Sequence, residues 1–175
     1  MENRTSKVGQ SGERWGSGRR REGRGTFLGQ YVHSMDDKGR VAIPARFRSE
    51  LGERMVVTRG LDKCLWVYPW ETWRVISGRF TQLPITRARN RNFQRYFFAG
   101  AVECAPDAQG RILITPALRG YAGLAREVVV AGVSDHVEVW DRAGWEALEE
   151  QVNAEYEEIA ESLYASEDAR EEGGR

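Results

Sequence analysis

Two cysteines and two histidines are all that 175 residues supply of the side chains that most often cross-link or bind metal. Cys64 and Cys104 stand in separate apolar, strand-like contexts. That excludes a disulfide framework and points to a reducing compartment. His33, Cys64, Cys104 and His136 match no zinc-finger spacing, and each stands singly on a strand, so no metal site is expected. No run of about 18 apolar residues exists, so no membrane span is expected. The first residues lack the apolar core of a secretory signal, which leaves a cytoplasmic reading. There is no serine elbow, no phosphate-cradling glycine loop and no paired metal-ligand motif, so no enzyme, cofactor or small-molecule substrate is expected. The formal net charge is zero, and whole-chain charge argues neither for nor against nucleic acid.

The distribution of charge says more. Residues 1–25 carry seven Lys/Arg against three Asp/Glu, and residues 147–175 carry two against ten. A basic front and an acidic tail flank a middle with a surplus of four positive charges. Residues 1–25 are rich in Gly, Arg and Ser, a composition that cannot offset the entropy of ordering, and read as a disordered basic arm. Such an arm is either a solvated tail or a non-specific phosphate-binding element.

Within the middle, one short phrase occurs twice. Asp36-Asp37-Lys38-Gly39-Arg40 precedes Val41-Ala42-Ile43-Pro44, and Asp107-Ala108-Gln109-Gly110-Arg111 precedes Ile112-Leu113-Ile114-Thr115-Pro116. Each copy reads as strand, tight turn, strand, and a proline opening a short helix. The glycine supplies positive φ at the turn, which costs a residue with a Cβ about 1 kcal/mol or more. The aspartate accepts from the turn's own N–H groups. Phe27, Gly29 and Asp36 recur as Phe98, Gly100 and Asp107, 71 residues on. After Thr115 the offset becomes 72: Pro44 recurs as Pro116, Val56-Val57 as Val128-Val129, Gly60 as Gly132, Val67 as Val139 and Trp73 as Trp145. This is an internal tandem repeat.

The pattern predicts strands over 27–35 and 40–43, a helix from Pro44 to Leu51, strands over 55–58 and 64–68, and a helix from Pro69 with Trp70, Trp73, Ile76 and Phe80 along one stripe. A connecting helix is expected over 86–97, carrying Arg87, Arg89, Arg91 and Arg95. It reads either as a DNA-recognition helix or as a solvated face over buried Phe93, Tyr96 and Phe97. The second half is expected to repeat the order, with strands 98–105, 111–114, 127–131 and 136–140, a helix near 116–120, and a last helix capped by Asp141 that dissolves into polar sequence. The division is 1–25, a first repeat 26–85, the connecting helix 86–97, a second repeat 98–148, and a helix end with acidic tail 149–175. Each half alone leaves strand edges to be paired, and two halves solve this by closing one barrel about a pseudo-twofold axis.

Asp36-x-Lys38-Gly39-Arg40-x-x-Ile43-Pro44, the paired Asp107-x-x-Gly110-Arg111, Leu118-Arg119, the stretch Glu127–Val133 and Val137-Glu138-Val139-Trp140-Asp141 together resemble the MraZ family over roughly residues 27–150. The resemblance implies an α+β fold of two tandem AbrB-like swapped-hairpin β-barrel half-domains, forming a single-chain pseudo-dimer with flanking helices. It implies a bacterial, nucleoid-associated DNA-binding regulator, read as a repressor of the division and cell wall gene cluster. Binding to short promoter repeats in double-stranded DNA is expected, by a homo-oligomeric ring, an octamer or similar. It places DNA contacts at Arg40, Lys38 and Arg48 in the first half and at Arg111, Gln109 and Arg119 in the second. Asp36, Gly39, Asp107 and Gly110 are expected to hold the turns. Arginine suits the task because its planar fork fits phosphate and the guanine edge. Two alternatives stand beside this reading: the arginines only pair with the aspartates, or the chain is an oligomeric scaffold that does not read DNA sequence.

Overall fold

The computed structural model describes residues 26–172, with side chains to residue 163. The first half contains β1 (Phe27–Ser34), β2 (Arg40–Ala42), α1 (Ala45–Leu51), β3 (Met55–Arg59), β4 (Leu65–Pro69), α2 (Trp70–Thr81) and α3 (Ala88–Ala99). The second contains β5 (Val102–Cys104), β6 (Arg111–Leu113), α4 (Pro116–Ala122), β7 (Glu127–Ser134), β8 (His136–Asp141) and α5 (Arg142–Glu172). β-Branched residues dominate β3 and β7, and valines with aromatic residues line β4 and β8, side chains that suit a pleated, buried surface. Helices α1, α2, α4 and α5 begin where the sequence offers a proline or a cap, whereas α3 starts after Arg87 with neither. Thr115 Oγ1 accepts from the Leu118 N–H at the head of α4, and Asp141 Oδ1 accepts from the Ala143 N–H at the head of α5.

Strands are traded between the halves. One antiparallel sheet runs β1-β7-β8-β4-β3-β5, and a separate two-stranded ribbon joins β2 to β6. β1 of the first half pairs with β7 of the second, while β5 of the second pairs with β3 of the first. The halves also meet at two points where a residue faces its own repeat counterpart. Val41 lies opposite Ile112 at the centre of the ribbon. Trp66 lies opposite Glu138 where β4 meets β8. A line through these two points is the pseudo-twofold axis.

The main core fills the space between ribbon and sheet. Val41, Leu65, Val67, Ile112, Ile114, Val128, Val130, Val137 and Val139 are wholly buried there, with Phe47 meeting the edges of Phe27 and Tyr31 at 5.6 and 5.3 Å. The outer face of the sheet is covered in two different ways. Over β3 and β4, α2 and α3 form a helical hairpin in which Phe97 stacks on Trp73 at 5.4 Å and meets Phe80 at 4.9 Å. Thr58 on β3 donates to the Phe97 carbonyl. Over β7 and β8, α5 is the one covering helix among the described residues, with Trp145 and Leu148 against Val129, Ala131 and Trp140.

Several expectations need correction. Phe98 and Gly100 are not the counterparts of Phe27 and Gly29. The helix expected over 86–97 runs Ala88–Ala99, Gly100 follows as its C-cap, and the strand expected at 98–105 shrinks to Val102–Cys104. Val130, not Val129, is the counterpart of Val57. Val57 pairs with Val67 and Val130 with Val139, both facing the core, whereas Val129 faces α5. A strand alternates faces every residue, so a one-residue slip in the alignment reverses every side chain. The β7–β8 turn is one residue shorter than its partner, with Val133 pairing His136, and this hid the slip from a fixed offset. Pro44 caps α1 from outside rather than standing first in it, while Pro116 is the first residue of α4. The last helix does not dissolve at its polar end but continues to Glu172, because Ala and Glu are strong helix formers whatever their exposure. The expectation for residues 1–25 lies outside the described residues.

Exchange of strands makes the two halves one cooperative unit. Leu65→Ala, at the β4–β8 crossing, is expected to cost about 2–5 kcal/mol. The loss is expected in a single transition, with calorimetric and van't Hoff enthalpies equal. A second, separate transition for one half in the same scan is the result that this architecture forbids.

Candidate nucleic-acid interface

Both repeated turns end at the same corner, across the ribbon from the sheet. In the first, Asp36 Oδ1 accepts from the N–H groups of Lys38 (3.0 Å) and Arg40 (2.8 Å), and Oδ2 accepts from Arg40 Nε at 2.7 Å. In the second, Asp107 Oδ1 accepts from the N–H groups of Gln109 and Arg111, both at 2.9 Å. Its Oδ2 accepts from Arg111 Nε (2.9 Å) and Nη2 (2.8 Å). The pairs also cross the axis: Arg40 Nη1 lies 3.9 Å from Asp107, and Arg111 Nη1 lies 3.6 Å from Asp36. Two carboxylates and two guanidiniums thus form one square on the pseudo-twofold axis.

The turns are locked to each other by their glycines as well. Ile43 N–H donates to the Gly110 carbonyl and Ile114 N–H to the Gly39 carbonyl, both at 2.9 Å. Gly39 has φ of 81° and Gly110 of 74°, a region open to glycine and strained for a side chain. Each lies beneath an arginine of the other half. A Cβ on Gly39 would come within 2.9 Å of Arg119 Cζ, and one on Gly110 within 2.8 Å of Arg48 Cδ. Lack of a Cβ therefore does two things at once: it permits the turn and seats the opposite arginine.

The structure brings all of the sequence-predicted site residues to this corner. Arg40 and Arg111 leave the ribbon on its outer face, since their neighbours Val41 and Ile112 point into the core. Lys38 and Gln109 stand exposed at the turn tips. Arg48 and Arg119 lie across the opposite glycines, and Arg119 Nε is buried with no protein partner. Asp36 and Asp107, expected to hold the turns, each accept from two N–H groups of their own turn and from its arginine. One residue that motif matching missed is Leu113, which pairs with Arg40 on the outer face and is 54% exposed. Strand alternation from buried Ile112 and Ile114 carries that signal.

Electrostatics keep the corner charged. The Arg40 N–H and guanidinium lower the pKa of Asp36, and the Arg111 guanidinium, with its N–H, lowers Asp107 to about 2. The carboxylates neutralise part of the arginine charge, and Lys38, Arg48 and Arg119 leave a positive surplus around them. Elsewhere, burial pushes the Cys104 thiol up to about 11 and the Cys64 thiol higher still, so neither is a ready nucleophile at neutral pH. Among the described residues no group of His, Cys, Asp and Glu is arranged to hold a metal ion, and no helix is long and apolar enough to cross a membrane.

Fold and site define a class: a duplicated α+β chain whose halves trade strands and present a shared, arginine-bearing ribbon. The chain belongs to the MraZ family, whose model, described as "MraZ protein, putative antitoxin-like", matches it twice, over residues 26–96 and 97–165. Among relatives, the transcriptional regulator MraZ of Moorella thermoacetica is 52% identical over 137 residues, covering 78% of this chain and 96% of that protein. The same protein of Carboxydothermus hydrogenoformans is also 52% identical, and that of Natranaerobius thermophilus 46%, with the same coverage of both chains. These relatives are named as regulators, not as enzymes.

Asp107 has a depressed folded pKa, so its contribution to stability is present above the unfolded value and is lost as pH falls toward about 2. Asp107→Asn is expected to lower the urea midpoint at neutral pH and to flatten the acid limb of the pH–stability curve between about pH 4 and 2. A carboxyl carbon titrating at its ordinary value by NMR is incompatible with the bonded square.

Proposed function

We propose that the chain is a sequence-specific, double-stranded-DNA-binding transcriptional regulator that reads DNA with the outer face of the β2–β6 ribbon. The observation that carries this is the placement of Arg40 and Arg111 at diagonal positions on the outer face of a narrow two-stranded ribbon, with exposed Leu113 opposite Arg40. A ribbon of this width fits the major groove, where arginine forks meet guanine and an apolar side chain meets the thymine methyl. The square with Asp36 and Asp107 holds both guanidiniums in place before binding, which lowers the entropy lost on contact. Lys38, Gln109, Arg48 and Arg119 flank the ribbon and are assigned to phosphates and groove edges. The names of the relatives support regulation of transcription.

The finer reading follows the family resemblance. The two repeats act as AbrB-like swapped-hairpin half-domains closing one barrel, and the traded strands and shared ribbon support that description. The target is the division and cell wall gene cluster, with repression as the outcome, in the cytoplasm and on the nucleoid. One corner offers few base contacts, so several copies arranged as a ring on successive promoter repeats supply the affinity. A scaffold that merely oligomerises lacks a reason for outward arginines at a rigid, positively charged corner.

Arg40→Ala with Arg111→Ala is expected to abolish the mobility shift on the chain's own upstream DNA, with each lost guanine contact costing about 1–3 kcal/mol. Circular dichroism checks that the variant remains folded. Lys38→Ala is expected to weaken all sequences alike and reduce the salt slope by about 1. Equal affinity for upstream and scrambled DNA in the wild type points to the scaffold instead.

A further inference from the structure

An open cavity of about 510 Å³ lies where β1 begins, bounded by the end of α1, the head of α2 and the β7–β8 turn. Leu51 and Trp70 give it an apolar wall. Its rim is acidic: Glu50, Glu53, Glu71 and Asp135 stand against a single cation, Arg54. That cation is already engaged. Its guanidinium lies 3.4 Å over the Trp70 ring and donates through Nη2 to Glu103 at 2.9 Å. Glu71 and Asp135 have basic neighbours in Arg74 and His136, but among the described residues Glu50 and Glu53 have no cationic partner.

An apolar wall beneath a rim of unpaired negative charge suits a ligand that is apolar in one part and cationic in another. The chain carries such a segment beside the cavity. Thr26 belongs to the lining, and the residues before it read Trp15-Gly16-Ser17-Gly18-Arg19-Arg20-Arg21-Glu22-Gly23-Arg24-Gly25. Trp15 is the only aromatic residue before Thr26, and four arginines against one glutamate follow it. The stretch from Trp15 to Thr26 spans up to about 36 Å when extended, ample to turn back into a cavity that starts at its own end. The family match begins at residue 26, so this segment lies outside the shared fold.

We propose that residues 15–24 dock in this cavity of their own chain, with Trp15 against Leu51 and Trp70 and the arginines of 19–24 over Glu50 and Glu53. Tethering raises the local concentration of the segment to about the millimolar range, so a weak contact suffices. The rim neutralises arginines that would otherwise bind phosphate without regard to sequence, and docking thereby holds the arm off DNA. That consequence rests on the function proposed above; the docking does not.

The test digests the full chain with trypsin, without DNA, and follows the products by mass spectrometry. Cleavage after Arg19, Arg20, Arg21 and Arg24 reports the released form when docking is fast. Wild type is expected to be cut there about tenfold more slowly than Glu50→Gln with Glu53→Gln, and than Trp15→Ala, both of which keep every tryptic site. Positions 50 and 53 are exposed, so that variant is expected to fold, with circular dichroism as the check. High salt is expected to bring wild type to the variants' rate. Equal rates in wild type and both variants overturn the docking and leave the proposed function standing. Protection that falls as the chain is diluted also overturns it, because the occupant is then a second molecule. The consequence is read on scrambled DNA, where Trp15→Ala, which changes no charge, is expected to bind about tenfold tighter than wild type. Unchanged affinity there overturns the restraint on DNA binding.

Discussion

Everything in this molecule depends on a crossing: Val41 over Ile112, each buried completely and each facing its own repeat counterpart. A ribbon with only three residues per strand has little stability of its own. It persists because its inner residues fill the space above the sheet and because its outer ends are tied by turns that reach into the opposite half. Remove the inner pair and the corner has nothing to stand on. Remove the turns and the ribbon has nothing to fix its register.

The two turns show how one residue type serves several constraints. The aspartate caps its own turn, orients its own arginine, and touches the arginine of the other turn. Such partly exposed pairs contribute little apiece, and their value lies in position rather than in energy. The guanidiniums are already desolvated on one side and pointed one way. Pairing with the aspartates and facing outward from the ribbon are therefore compatible in the same arginines.

Much of the site was legible from the chain because turn chemistry is local. Asp, Gly and Arg at fixed spacing specify a backbone shape and a projecting side chain without help from the rest of the fold. The strand–turn–strand–helix order was legible for the same reason. What failed was counting across distance. Phe98 looked like Phe27 in a line of letters, yet the helical run Phe93-x-x-x-Phe97 claimed it for α3. Val129 looked like Val57, and only the pairing partner reveals which face each takes. Leu113 was invisible to motif matching because its meaning comes from its neighbours' burial. Strand exchange itself leaves no mark in composition, since β1 suits β3 as well as β7, and the choice is made by where the ribbon puts the chain.

Joining two half-units in one polypeptide has a consequence for information. A true homodimer is bound to present identical surfaces on both sides of its axis. Here Lys38 on one tip answers to Gln109 on the other, and Ala42 on one strand answers to Leu113 on the other. The corner therefore has a front and a back. Under the function proposed above, that asymmetry would distinguish the direction in which a duplex runs beneath the corner, and its site would have no need to be a palindrome.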